Sequence, residues 1–164
     1  MRIGFGYDIH PFIKNRPLVL GGVHIPYNHG LKGHSDADVL IHAIMDALLG
    51  AAGMPDIGHL FPNTDPSYKG ISSVVLLHTI AGIMKKKGVR IINIDSTVIA
   101  EAPKIAAFIP AMKKTIANAL EIEQTAIGIK ATTNEGLGSL GKKEGIAAYA
   151  VSLITLKAVK KRRS

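Results

Sequence analysis

Asp8 and His10 stand one residue apart in "GFGYDIH", a stretch near the N-terminus whose other residues suit a strand. Side chains at i and i+2 of a strand share a face, about 7 Å apart along it. A carboxylate and an imidazole so placed offer two metal ligands, while catalytic Zn2+ wants three protein groups and one open position. His42, in the otherwise apolar "VLIHAIMDALL", is the best third candidate, and on a helix it shares a face with Asp38 and Asp46. Plainer readings compete for the same residues. Asp8 can cap a turn, His10 can simply precede Pro11, and His42 can be a hydrogen-bonded core histidine. His24, His59 and His78 form no comparable constellation. "GFG" is no dinucleotide fingerprint, because Ile9 takes the place of the third glycine.

Two further clusters carry polar chemistry. "KGHSDAD", residues 32–38, brings His34, the Ser35 hydroxyl and several backbone N–H groups to an expected helix start. That is either an anion site or an ordinary cap. "KATTNEG", residues 130–136, ends an apolar strand pattern in Thr132, Thr133 and Glu135. Hydroxyls and a carboxylate there suit phosphate contacts and a hard cation such as Mg2+, although paired threonines are also good strand chemistry.

These residues need elements to hold them. "RIGFGYDI" reads as a strand, and "RPLVLGGVHIPY" as two short extended pieces joined at Gly21-Gly22. "SDADVLIHAIMDALLGAAG" reads as a helix capped by Ser35, with Asp36 and Asp38 at its positive end and Gly53 at its close. "MPDIGHLFPNTDPSYKG" is a long loop without regular structure of its own, a length that tends to be functional. A second helix, "ISSVVLLHTIAGIMKKK", ends in three lysines before Gly88. Then follow the strand "RIINIDSTVIA", a helix starting near Pro103 in "APKIAAFIPAMKKTIANAL", the strand "AIGIKATT", the glycine-rich loop "NEGLGSLGKKEG" and a last strand, "IAAYAVSLITLK". The order is mixed α/β (α+β): a single two-layer domain, with a mixed sheet of about four main strands covered on one face by helices.

Composition narrows the chemistry. The 164 residues include no Cys, so disulfides, thiolate metal sites and cysteine nucleophiles are excluded and any metal falls to His, carboxylate or backbone oxygen. Aromatics are only 5% and Trp is absent, which leaves the core to Ile, Val, Leu and Ala. The formal charge of +8 invites a nucleic-acid reading, but Lys157, Lys160, Lys161, Arg162 and Arg163 account for most of it. We read 1–156 as the domain and 157–164 as a basic tail, solvated rather than bound to a polyanion, and expect no nucleic-acid partner. No apolar run is long enough to span a bilayer and the chain enters a strand pattern at once, so no membrane partner is expected. An intracellular protein follows, although a removed targeting segment leaves no trace.

The pieces occur together and in this order in one family. "RIGFGYDIH", "LVLGGVHIP", "GLKGHSDADVLIHAIMDALLGAAGMPDIGHLFPNTDP", "STVIAEAPKI" and "KATTNEGLG" span nearly the whole chain apart from its tail. They closely resemble the 2-C-methyl-D-erythritol 2,4-cyclodiphosphate synthases of the non-mevalonate isoprenoid pathway. The resemblance implies a lyase that closes the cyclic diphosphate of 4-diphosphocytidyl-2-C-methyl-D-erythritol 2-phosphate and releases CMP. It implies a divalent ion, usually Zn2+, on Asp8, His10 and His42, and Mg2+ or Mn2+ on the substrate diphosphate near Glu135. His34 and Ser35 would touch phosphate beside the first metal. Asp56, Ile57, Gly58, Phe61, Asn63 and Asp65 would meet the methylerythritol end. Ala100, Pro103, Lys104, Ile105 and Ala106 would form the cytidine pocket, with Ala131, Thr132, Thr133 and Glu135 completing the nucleotide side. His34 and Thr133 would steady the transition state.

The same resemblance implies a homotrimer with active sites at subunit interfaces, and a central cavity for an isoprenoid diphosphate. It implies a cytoplasmic enzyme in a bacterium, or a plastid one after loss of a targeting segment. Two positions depart from the family pattern. Asn63 replaces an expected Asp, losing a charge but keeping an acceptor oxygen. "SLGKKEG" replaces a Phe and G-R-G-E-G pattern, so Ser139 and Lys142 stand near the cavity without the forked guanidinium. Two other readings remain beside the synthase: a phosphohydrolase that lets water attack, and a non-catalytic binder of nucleotide or isoprenoid phosphates.

Overall fold

The computed structural model of the chain describes residues 1–156, so the basic tail expected at 157–164 lies outside the described residues. Strand β1 (Arg2–Lys14) is longer than its sequence pattern suggests and is followed by three short strands, β2 (Leu18–Leu20), β3 (Val23–Ile25) and β4 (His29–Leu31). Helix α1 (Val39–Ala52) leads to a one-turn helix α2 (Ile57–Leu60), then α3 (Ser73–Lys86) and strand β5 (Val89–Ile99). Helix α4 (Ile109–Leu120), strand β6 (Ile127–Thr132), one-turn helix α5 (Gly138–Gly141) and strand β7 (Gly145–Leu156) complete the order.

The main sheet runs β4-β1-β7-β5-β6. It is mixed as expected: β7 is antiparallel to both β1 and β5, whereas β5 and β6 are parallel across the α4 connection. The four long strands match the expectation, and β4 adds a fifth, pairing antiparallel with the far end of β1. The two expected short extended pieces form a separate hairpin, β2-β3, turning at Gly21 and Gly22, both at positive φ.

Helix α1 is apolar almost all round and buried along most of its length, as such a helix must be. It packs on β1 and β7, while α3 and α4 cover β5 and β6. Contact with β1 is between backbones. A Cβ on Gly4 would overlap the Ala47 carbonyl oxygen, and one on Gly6 would overlap that of Ala43. Only glycine lets the helix lie this close to the strand.

Strand alternation sends Gly4, Gly6, Asp8 and His10 towards α1 and leaves Ile3, Phe5, Tyr7 and Ile9 on the opposite face. There Phe5 is 61% exposed, and Tyr149 and Val151 of β7 are exposed beside it. The Tyr7 and Tyr149 rings lie 4.9 Å apart. One sheet face is covered by helices and the other carries an uncovered apolar patch.

Three local expectations are corrected. Ser35 does not cap α1: Ala37 adopts φ +59, so the helix starts only after Asp38, whose side chain accepts the Ile41 N–H at 3.1 Å. The helix near Pro103 instead begins at Ile109, with Pro110 in its first turn, preceded by a 3-10 turn at Ala106–Phe108. Ile105 is buried just before that turn, which anchors the segment outside the helix. The loop after Gly53 is not devoid of regular structure, since it folds α2 and a 3-10 turn at Pro66–Tyr68 under Asp56 and Asp65 as caps.

Candidate functional site

Two elements that share no local sequence bring the ligand candidates together. Asp8 and His10 project from β1 towards α1, and α1 returns His42 between them across the glycine contact. His10 Nε2 and His42 Nδ1 each lie 2.9 Å from Asp8 Oδ2, and 3.3 Å from one another. A tetrahedral ion with bonds of about 2.0–2.2 Å holds its ligand atoms about 3.3–3.6 Å apart, so the three atoms fit such an ion after slight spreading. They form a possible metal-binding triad.

The electrostatics favour a charged carboxylate there. Burial works to raise the Asp8 carboxyl, but hydrogen bonds from His10 and His42 and their charges outweigh it and hold Asp8 well below the usual carboxylate range. Burial likewise works against a charged His42, yet the Asp8 hydrogen bond and charge push its pKa up.

A cavity of about 250 Å3 opens beside the triad. Gly33, His34 and Ser35 form one wall, and Ile57, Gly58, Phe61 and Asn63 another. His34 Nε2 is buried without a hydrogen-bond partner among the described residues, an orphaned group that a bound anion or hydroxyl would satisfy. The helix starts only after Asp38, so His34 and Ser35 meet the cavity from a loop and not from a helix N-terminus. Asp56 is exposed and caps α2, and Asp65 caps the turn after it, so neither is among the cavity's lining residues.

Several residues outside the expected ligand and substrate sets hold this site. Arg16 donates to the Gly33 and Ser35 carbonyl oxygens and so fixes the segment bearing His34. Asp46 accepts the Ile57 N–H at 2.9 Å, tying α2 to α1. Asp38 accepts from the Gly21 and Gly22 N–H groups at 2.9 and 2.6 Å, strapping the β2-β3 turn to the start of α1. Burial pushes the Asp38 carboxyl up to about 6, despite those bonds. Tyr68 and Leu76 also line the cavity.

The expected cytidine-side residues form a second group, outside that cavity. Ala100 donates its N–H to the Thr132 carbonyl at 3.0 Å. Glu101 Oε1 accepts from Asn134 N–H at 2.8 Å and Gly136 N–H at 3.1 Å, which pins the loop holding Thr133 and Glu135. Thr133 donates to Glu135 Oε1 at 2.7 Å, and Glu135 stands at φ +50. Lys104, Ala106, Ala131, Thr132, Thr133 and Glu135 are exposed, while Ala100 and Ile105 are buried and Pro103 is half-buried. Ser139 lies exposed in α5 and Lys142 at its end. Cross-strand register sets Asp8, Ala148, Val98 and Ala131 in one row. Both groups therefore sit at one end of the sheet, three strand spacings or about 14 Å apart.

A larger cavity, about 690 Å3, lies between α3, β5 and the α4–β6 connection, and none of the expected site residues lines it. Among the described residues no helix is long and apolar enough to cross a membrane.

A two-layer α/β domain with a carboxylate–bis-imidazole triad at a cavity mouth is the class that fold and site define. The chain belongs to the YgbB family, whose model matches residues 1–155. A Pelotomaculum thermopropionicum protein named 2-C-methyl-D-erythritol 2,4-cyclodiphosphate synthase is 58% identical over 154 residues, covering 94% of this chain and 95% of its own. Among solved structures, IspF of Plasmodium falciparum in complex with CDP superposes with a TM-score of 0.83 at 38% identity, over 96% of this chain and 97% of that one. The bifunctional IspDF of Campylobacter jejuni superposes with a TM-score of 0.90 at 45% identity over 93% of this chain, which spans 42% of that longer one.

Proposed function

We propose that the protein converts 4-diphosphocytidyl-2-C-methyl-D-erythritol 2-phosphate to 2-C-methyl-D-erythritol 2,4-cyclodiphosphate and CMP. An oxygen of the 2-phosphate attacks the β-phosphorus, the bond from that phosphorus to the bridging oxygen breaks, and CMP leaves with the electron pair. One observation carries this reading: relatives named for this activity match the chain almost end to end. The converged triad supplies a place for its chemistry.

Phosphoryl transfer asks for positioning and charge neutralisation more than for covalent work by the protein. Zn2+ on Asp8, His10 and His42, with Mg2+ or Mn2+ carried on the diphosphate beside Glu135, would supply Lewis-acid polarisation and neutralise charge. His34 offers its unpartnered Nε2 to a phosphate oxygen, next to the Ser35 hydroxyl. Ile57, Gly58, Phe61 and Asn63 enclose the methylerythritol end, with Asp56 and Asp65 positioning the loop between them. Thr133 and Glu135 face the nucleotide phosphates, Lys104 neutralises them, and Ala100, Pro103, Ile105, Ala106, Ala131 and Thr132 shape the cytidine pocket.

The two groups belong to one reaction centre in a homotrimer, each centre completed across a subunit interface. The uncovered apolar face of β1 and β7 supports this, because a patch of that kind marks an interaction surface. Ser139 and Lys142 then border a central cavity suited to an isoprenoid diphosphate. The enzyme works in the cytoplasm of a bacterium, or in a plastid.

Phosphorus NMR of the purified protein with the cytidine substrate, Zn2+ and Mg2+ tests the reading. Equimolar cyclic diphosphate and CMP are expected, with no solvent oxygen incorporated from oxygen-18 water. Linear phosphates bearing oxygen-18 would establish hydrolysis instead.

A further inference from the structure

The two nitrogens of His42 face opposite demands. Nδ1 lies 2.9 Å from Asp8 Oδ2, and a lone carboxylate there draws a proton onto it. A ring carrying that proton cannot use Nδ1 as a ligand, since a neutral imidazole has only one nitrogen with a free lone pair. Something on the other side has to hold the proton at Nε2.

Ser73 is placed to do so. It opens α3, is fully buried, and sets its Oγ 3.0 Å from His42 Nε2. Its hydroxyl hydrogen is committed elsewhere, because Ser73 Oγ donates to Asp36 Oδ1. The other oxygen of that carboxylate accepts the Ser73 backbone N–H at 2.8 Å. Asp36 is itself held by its own N–H on the Ile71 carbonyl at 3.0 Å and by the Asp38 N–H on Oδ1 at 3.2 Å. Carboxylate oxygens only accept, so Ser73 Oγ has nothing but lone pairs left for His42. Towards Ser73 the ring can therefore only donate. Ser35 Oγ, 3.2 Å from the same nitrogen, accepts from the Ala37 N–H, and its own hydrogen is free to follow whichever tautomer Ser73 imposes.

We propose that Asp36 and Ser73 are positioning residues that hold His42 in the Nε2–H tautomer, leaving the Nδ1 lone pair beside Asp8 and His10 to ligate a divalent cation. The arrangement extends by one serine the pattern in which a ligating histidine donates its second N–H to a carboxylate. Its purpose rests on the metal-centre reading, but its hydrogen-bond geometry does not. A plain helix cap at α3 would need Asp36 and the Ser73 N–H, without any particular tautomer at His42.

Long-range proton–nitrogen NMR on metal-free, nitrogen-15-labelled full-length protein, in alkaline buffer where the ring is neutral, tests this. In wild type the His42 Nε2 should be the protonated nitrogen. In Ser73→Ala the proton should move towards Nδ1, and Zn2+ affinity against a chromophoric chelator should fall about 10–100-fold. Ser35→Ala should leave the tautomer unchanged. A wild-type ring protonated at Nδ1 would overturn the proposal without any variant having to fold. So would a Ser73→Ala protein that binds Zn2+ as tightly as wild type. A wild type that holds Nε2–H yet takes up no Zn2+ overturns the metal-centre reading while upholding the tautomer assignment.

Discussion

Replacing Gly6 by Ala should damage the candidate metal centre without touching a ligand. The new Cβ would overlap the Ala43 carbonyl oxygen and stand 2.7 Å from the Ala47 nitrogen. Both are backbone atoms of α1, and no side-chain rotation relieves them. The Cβ would lie only 2.0 Å from that oxygen, so restoring an ordinary contact of ~3.5 Å needs the helix to withdraw by about 1.5 Å. Overpacking of this kind costs about 1–3 kcal/mol, which for a chain of this size lowers Tm by roughly 2–12 °C. His42 immediately precedes Ala43, so the withdrawal carries Nδ1 away from Asp8 and His10. A shift of about 1.5 Å far exceeds the ~0.2 Å within which ligand distances must fall. Thermal melts of the metal-free and Zn2+-saturated proteins read both effects. The variant should melt lower without metal and should gain much less from Zn2+ than wild type does. Gly82→Ala in α3 is the control, since its Cβ meets nothing within 4 Å, and it should be neutral or stabilising by about 0.5–1 kcal/mol. A Gly6→Ala protein with wild-type melting and an undiminished Zn2+ response would refute the backbone-contact argument.

The pH response should change sign with the metal. His42 is raised above its ordinary 6.5, so protons begin to compete with Zn2+ above that pH, and chelator competition should show affinity falling as pH drops. Without metal, the raised His42 adds stability below pH 6.5 that is lost as pH rises through its folded value. Asp38, raised to about 6, acts in the same direction at lower pH, its stability growing as pH falls through about 6. Metal-free Tm should therefore climb as pH falls from alkaline values towards and below about 6. Glu101→Ala releases the Asn134 and Gly136 N–H groups and should weaken CMP binding about tenfold by calorimetry, ~1.4 kcal/mol. Asp46→Ala unties α2 and should raise KM more than it lowers kcat in steady-state assays. Phe5→Asp places a charge on the uncovered apolar face and should leave monomers in light scattering where the proposed trimer is expected of wild type.

Much of this protein depends on neighbours close in sequence, and that part was readable from the chain alone. Period-two alternation put Asp8 and His10 on one strand face, and helical spacing put His42 among apolar residues. The four long strands, α1 and α3 follow from such local patterns. The motifs also pointed to the synthase family, which the comparisons uphold. Local rules failed where a distant contact outbid them. Ser35 is a good cap by type, but the left-handed Ala37 delays the helix and Asp38 serves both α1 and the Gly21-Gly22 turn. Pro103 suits a helix start as well as Pro110 does, yet Ile105 is buried before the turn that precedes α4. Ser73 and Glu101 carried no sequence signal at all, because each acts on residues more than thirty positions away. Sequence by itself determined which side chains could ligate and which faces they share. Only the tertiary structure decided that three of them meet, because the meeting depends on two glycines that let a helix backbone rest directly on a strand.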